Sequence, residues 1–398
     1  MISNTYSSWT IFLIFLRLGL TSFGGPIAHL GYFREEFVTR RRWLSDSAYA
    51  DLVALCQFLP GPASSQVGMA IGFYRSGYMG ALAAWVGFTL PSAIVLILFA
   101  IGLTHYNNIL LAGVFDGLKI VAVAVVIQAL WGMGRSLCPD TPRITIMAFT
   151  ACFVLIVPSI WGQVLAIIIS GIIGLLLFKP NTVMVHNSLP RAMTTRAGWF
   201  WLAIFFSLLI GLPFFKIIFP NQIISLIDAF YRTGSLVFGG GHVVLPLLQS
   251  EIVSTGLLNN DTFLAGYSLA QAVPGPLFTF AAFLGASIEG SFANWIIGLI
   301  CLGAIFIPSF LLVFGTLPFW ENMRNNPHMR AALYSVNASV VGILLAALYQ
   351  PIWTSSIYKP QSFCMALIAL VALMFWKLPP WFVVLAGGIV GGLLAYSV

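Results

Sequence analysis

Two short cassettes, each present twice, put chemistry-bearing residues inside an otherwise apolar chain. The first is Arg17, Gly19 and Phe23-Gly24-Gly25-Pro26, followed by Gln57 and Pro60-Gly61-Pro62. The second is Arg232, Gly234 and Phe238-Gly239-Gly240-Gly241, followed by Gln271 and Pro274-Gly275-Pro276. Glycine and proline at these points interrupt helices. A helix that restarts after such a break presents free N–H groups and roughly half a positive charge. That is an anion site in the making. The restarts follow Pro26, Gly241, Pro62 and Pro276, and the glycines at 24, 25, 61, 239, 240 and 275 let backbone approach a ligand closely. Ser64, Ser65, Gln66 and Thr279 stand in first turns, where they can donate hydrogen bonds. Arg17 and Arg232 sharpen the sign. An Arg in a bilayer costs on the order of 3 kcal/mol or more, so it normally has a functional partner. Its planar fork suits oxyanions. The competing account is a side chain reaching from a short arm to the headgroups.

The surrounding elements follow from composition. The chain is 60% hydrophobic and 7% charged, with mean hydropathy +0.97, against about 25% charged residues in a soluble domain. Apolar runs recur near bilayer-crossing length. The expectation is an all-α polytopic integral membrane protein in the cell membrane, with the lipid bilayer as its surrounding partner. The formal charge of +7 does not argue for nucleic acid, because the basic residues lie in loops between apolar segments, as cytoplasmic loops do. Residues 1–9 carry no basic region and Arg17 interrupts the first apolar run, so the first segment is expected in the fold and not as a signal peptide. Cys56, Cys138, Cys152, Cys301 and Cys364 are scattered, with no metal-ligand spacing. The matched cassettes hold no cysteine and no shared histidine, so neither an enzyme nor a cofactor or metal is expected.

The cassettes belong to an internal repeat. An offset of 215 carries Arg17 to Arg232, Phe23 to Phe238, Leu30 to Leu245, Glu36 to Glu251 and Asp46 to Asp261. At 214, Gln57 meets Gln271 and the two Pro-Gly-Pro triplets coincide. Later, Pro91-Ser92 answers Pro308-Ser309. The reading is one repeat over 1–179, a linker with an extra transmembrane segment over 180–220, and a second repeat over 221–398.

Residues 10–22 and a second arm to about 39 flank the first Gly-Gly break, and arms 47–59 and 63–74 flank the first Pro-Gly-Pro. The second half repeats this with arms 225–237, 242–258, 263–273 and 277–288. Each arm is too short to cross about 30 Å of hydrocarbon alone, so re-entrant hairpins are preferred over kinked full spans. Spans are expected at 79–104, 110–134, 199–219, 295–317 and 331–350, with shorter pairs at 144–157 and 160–178, and at 363–376 and 383–397. The loop 34–42 holds four arginines and its counterpart 249–262 none, whereas 105–109 holds none and 320–330 holds Arg324 and Arg330. Such antiphase charge implies repeats of inverted topology, with broken helices meeting near the bilayer midplane.

Other polar residues have plainer readings. Glu36 and Glu251 match and could carry protons, or stand solvated. Asp116 and Lys119 share a helix face and should pair with each other. His29 and His242 follow the breaks at different spacings and suit helix starts or packing. Gln57 and Gln271 could bond ligand or backbone, and Pro91 and Pro308 read as kinks.

FGGPIAHL, QFLPGP, VFGGGHVVLPLLQSE and QAVPGP together resemble the paired signatures of the chromate ion transporter family, over nearly the whole chain. The resemblance implies efflux of chromate across the bacterial inner membrane, giving chromate resistance, and some members are linked to sulfate. Phe23-Gly24-Gly25-Pro26 departs from Phe238-Gly239-Gly240-Gly241, so the two copies need not bind alike. The residues alone supply only an oxyanion; for the dianion that the resemblance implies, the membrane potential favours export, with or without protons. A sulfate or other oxyanion importer or exchanger and an anion channel stay open, as does a homodimer.

Overall fold

The computed structural model describes residues 6–396 apart from 24, 106–108, 180–192, 239–240, 291, 321–322 and 324–325. Among the described residues there is no strand. This is the economy of a chain in lipid, where every backbone N–H and C=O must pair within its own segment. Among the described residues five helices are long and apolar enough to cross a membrane, drawn from Ala63–Gly102, Gly113–Leu137, Thr195–Ile218, Asn294–Phe319 and Pro327–Ser356. The chain is a multi-pass membrane protein built of two repeats.

The first repeat opens with α1 (Ser8–Thr21) and α2 (Gly25–Arg34), which runs on as a widened π turn over Glu35–Arg40. Helix α3 (Asp46–Phe58) starts at Ser45, whose side chain accepts from the Ala48 N–H. Helix α4 (Ala63–His105) is helical except at Ser76 and Gly77, where the backbone turns sharply. A Cβ added at Gly72 would strike the Gly80 carbonyl, so the arms on either side fold back on each other. Then come α5 (Ile109–Leu137), α6 (Thr141–Ile156) and α7 (Ile160–Leu177).

After α8 (Thr195–Ile218) the pattern returns. Its members are α9 (Gln222–Leu236), α10 (Val244–Ile252), α11 (Asn260–Ala272), α12 (Phe280–Ser287), α13 (Asn294–Thr316), α14 (Pro327–Ala347), α15 (Pro360–Met374) and α16 (Pro380–Tyr396). The linker expected from residue 180 lies partly outside the described residues.

Two details test the register. Helix α11 starts at Asn259, which caps the Thr262 N–H, so Ser45 answers Asn259 and the offset is already 214 there. Asp46 therefore matches Asn260, not Asp261, and the side chains agree. Arg34 binds Asp46 at 2.6 Å, and at the matching place the Gln249 amide donates to Asn260 Oδ1 at 2.7 Å. In both repeats the first helix packs against the same spot. A Cβ on Gly19 would meet the Phe88 carbonyl at 2.7 Å, and one on Gly234 would strike the Ile305 carbonyl.

The repeats do not sit side by side. Helix α5 of the first packs on α15 and α16 of the second, and α14 of the second packs on α6 and α7 of the first. Small residues bring these helices close. Gly117 faces the Gly387 carbonyl, and Gly342 faces the Met147 carbonyl.

Candidate functional site

The breaks of one repeat bond to the breaks of the other. The Gly61 N–H donates to the Val237 carbonyl at 2.7 Å, and the Gly275 N–H donates to the Ser22 carbonyl at 3.1 Å. Each Pro-Gly-Pro turn is thus fastened to the residue just before the opposite Phe-Gly-Gly. Gly61 and Gly275 hold φ of +116° and +113°, a region that side chains rarely adopt. Each also lies under a serine of the opposite repeat. A Cβ on Gly61 would come within 2.6 Å of Ser309 Oγ, and one on Gly275 within 2.8 Å of Ser92 Oγ. Pro91-Ser92 and Pro308-Ser309 therefore serve as seats for the breaks.

The restarts differ between repeats. Helix α4 begins Ala-Ser-Ser-Gln, and Ser64, Ser65 and Gln66 are buried. The Gln66 amide donates to the Pro60 carbonyl at 2.7 Å, and Ser64 Oγ lies 3.4 Å from His29 Nδ1. In the second repeat a tight turn over Leu277–Thr279 precedes α12, and Thr279 Oγ1 donates to the Pro276 carbonyl at 2.7 Å. Pro60, Gly61, Pro62 and Pro276 are buried, and Pro274 and Gly275 partly so. Phe23 and Phe238 are partly buried, Phe23 with its ring 6.3 Å from Trp381. Gly25 has φ +79°, while Gly24, Gly239 and Gly240 lie outside the described residues. Gln57 is exposed, whereas Gln271 is partly buried with its amide 3.5 Å from His242 Nδ1. His242 in turn meets the Tyr267 hydroxyl at 2.8 Å.

The arginines are not equivalent. Arg17 is exposed on α1, which fits a side chain reaching for headgroups. Arg232 is engaged by two carboxylates, Asp228 at 2.9 Å and Glu251 at 3.0 Å, with its guanidinium 6.0 Å from the Trp161 ring. Lys216 stands 4.0 Å from Asp228. The sequence reading missed Asp228, although it lies four residues before Arg232 on the same helix face. Its counterpart is Leu13, so the first repeat has no such clamp. Glu36 is instead held by Arg40 at 3.1 Å and Arg41 at 2.7 Å. Lys119 pairs with Asp116 at 2.8 Å as expected, and also with Asp261 at 2.9 Å, tying α5 to α11 across the repeats. Among the described residues no three His, Cys, Asp or Glu side chains are grouped to hold a metal ion.

No solved structure matches this chain. Among curated proteins, an uncharacterised transporter of Methanocaldococcus jannaschii is 26% identical over 86% of this chain and 84% of its own length. A probable chromate transport protein of Synechococcus elongatus is 27% identical over 94% of this chain and 91% of that protein. A chromate transport protein of Pseudomonas aeruginosa is 26% identical over 84% of this chain and 78% of that protein. The family described as chromate transporter matches twice, over residues 9–175 and 224–392, once for each of the repeats that cross at the breaks. The chain belongs to the chromate transporter family.

Proposed function

We propose that this chain is a secondary transporter that exports chromate across the cytoplasmic membrane and so confers chromate resistance. It performs no covalent chemistry on its cargo. The observation that carries the reading is the crossed pair of bonds, Gly61 to Val237 and Gly275 to Ser22. Irregular backbone at membrane depth is tolerated where it is buried in protein or lines a cavity, and these four breaks gather at one place. In this reading a helix that restarts there turns free N–H groups and a positive dipole end toward the cargo. A tetrahedral dianion exchanges its water shell for such donors. In this reading the broken arms are re-entrant, the repeats are inverted, and the breaks lie near the midplane, as in other carriers with discontinuous helices.

The membrane potential supplies direction. Moving one charge through 100 mV is worth about 2.3 kcal/mol, so a dianion leaving a negative interior gains about twice that. Proton coupling, where present, would run through Glu36 or Glu251, each already held by arginine. The test is chromate flux from proteoliposomes at imposed potentials, with sulfate as competitor. Saturable efflux that rises with inside-negative potential and shows counterflow is expected. Flux indifferent to voltage removes the driving force, and flux without saturation makes the protein a channel. Preference for sulfate uptake would instead make it an oxyanion importer.

A further inference from the structure

The two repeats carry the same backbone crossing but not the same side chains around it. The structural register pairs Ser22 with Val237, His29 with Val244, Ser64 with Phe278, Gln66 with Phe280 and Thr89 with Phe306. Every first-repeat member is polar and every second-repeat member is apolar. All ten are buried, so the difference is not one of solvent.

Where both repeats keep a hydroxyl, its engagement differs. Thr279 Oγ1 is satisfied by the Pro276 carbonyl, but its partner Ser65 Oγ has no hydrogen-bond partner. Ser92 Oγ donates to the Thr89 carbonyl at 3.0 Å, but Ser309 Oγ has none. Ser309 lies over Gly61, the first-repeat break, and Ser92 over Gly275, the second. The His29 ring, 1% exposed and set edge-on to Phe88 at 5.2 Å, also leaves Nε2 without a partner. Ser65 Oγ, Ser309 Oγ and His29 Nε2 therefore stand unpartnered around the start of α4, as does the acceptor Gln66 Oε1, and Ser22 Oγ and Thr89 Oγ1 are unpartnered beside the Gly275 crossing. All of these but Ser309 belong to the first repeat, while the matching start of α12 is walled by Leu277, Phe278 and Phe280. Buried polar atoms without partners cost stability, and a protein retains them where something else is to be bound.

We propose that the chain has one oxyanion site, not two. It lies at the N-terminus of α4 and is formed by Ser64, Ser65 and His29 of the first repeat and Ser309 of the second. The helix start supplies positive dipole and free N–H groups, and the Ser65 and Ser309 hydroxyls and the imidazole Nε2–H supply directed donors, with the Ser64 hydroxyl donating to His29 Nδ1 and so fixing that tautomer. The second repeat contributes its backbone crossing and a phenylalanine wall that excludes water. A charged arginine is not part of the site. This inference rests on the reading of the chain as an oxyanion carrier.

The test is equilibrium binding of radiolabelled sulfate, with chromate as competitor, to the full chain purified in detergent. One equivalent per chain is expected. His29→Gln, Ser65→Ala and Ser309→Ala should each weaken binding about tenfold, which is about 1.4 kcal/mol. Ser65→Thr keeps the hydroxyl and should bind within about threefold of wild type, as should His242→Gln and Val244→Ala; unchanged thermal midpoints show that each variant is folded. Two equivalents per chain, or equal losses from His242→Gln and His29→Gln, overturn the proposal. So does undiminished binding by the three first-named variants, which leaves the transport reading standing. Failure of wild type to bind either anion, and to move chromate in vesicles, overturns both.

Discussion

Replacing Gly275 by alanine tests whether the crossing is a fitted contact or a loose approach. Two costs are separable. The backbone at φ +113° is one that a β-carbon disfavours, worth about 1–3 kcal/mol. The new Cβ would also sit 2.8 Å from Ser92 Oγ, with Ser92 Cβ at 3.3 Å and the Phe88 carbonyl at 3.4 Å. Forcing a methyl into so filled a place costs about 1–3 kcal/mol more. The expected loss is therefore about 2–6 kcal/mol, large against a total stability of about 5–15 kcal/mol. Ser92→Ala removes the oxygen in the way but not the backbone strain. In the double variant it should return about 1–3 kcal/mol, whereas in wild type it should return nothing. The assay is a double-mutant cycle on unfolding in detergent, read beside chromate flux. A Gly275→Ala chain within about 0.5 kcal/mol of wild type, or a cycle with no coupling, would refute the reasoning. Gly61→Ala should behave alike with Ser309→Ala as its relief, but less completely, because Gln66 Nε2 also stands 2.7 Å from the new Cβ.

Other outcomes follow from the charge arrangement and the helix contacts. Arg232→Gln leaves Asp228 and Glu251 facing each other with Lys216 at 4.0 Å from Asp228, and should cost about 3–5 kcal/mol in the same unfolding assay. Arg17→Gln, on an exposed side chain, should cost less than about 0.5 kcal/mol. Gly117→Leu would drive a side chain into the Gly387 carbonyl and should sharply lower the yield of folded protein by size-exclusion chromatography. Cutting the chain between 180 and 192 should give halves that recover chromate flux when made together and fold poorly when made apart.

Much of this was legible from spacing. The cassettes, the repeat and nearly every apolar segment could be read because glycine and proline punctuate helices and a bilayer fixes their length. The Asp116–Lys119 pair was readable because i,i+3 residues are neighbours on any helix. What could not be read depends on where distant segments meet. Nothing near Lys119 announces Asp261, and nothing near Gly61 announces Ser309. Arg17 and Arg232 looked alike because their flanking motifs are alike. What separates them is the carboxylate one turn earlier, present as Asp228 and replaced by Leu13. His29 and His242 follow the breaks at different spacings, which suits helix starts or packing, yet that lack of a match is the asymmetry on which the single-site proposal turns.

The reciprocal packing of the terminal helices bears on how the molecule is made. The hairpin of α6 and α7 leaves the ribosome long before α14, the helix it will pack against. At about 5–20 residues per second, the interval is on the order of ten seconds. During that time its glycine-lined face can meet only lipid, the insertion machinery or another nascent chain. Biogenesis is therefore a closing step as well as an insertion step: the helices that close the second repeat complete those that close the first.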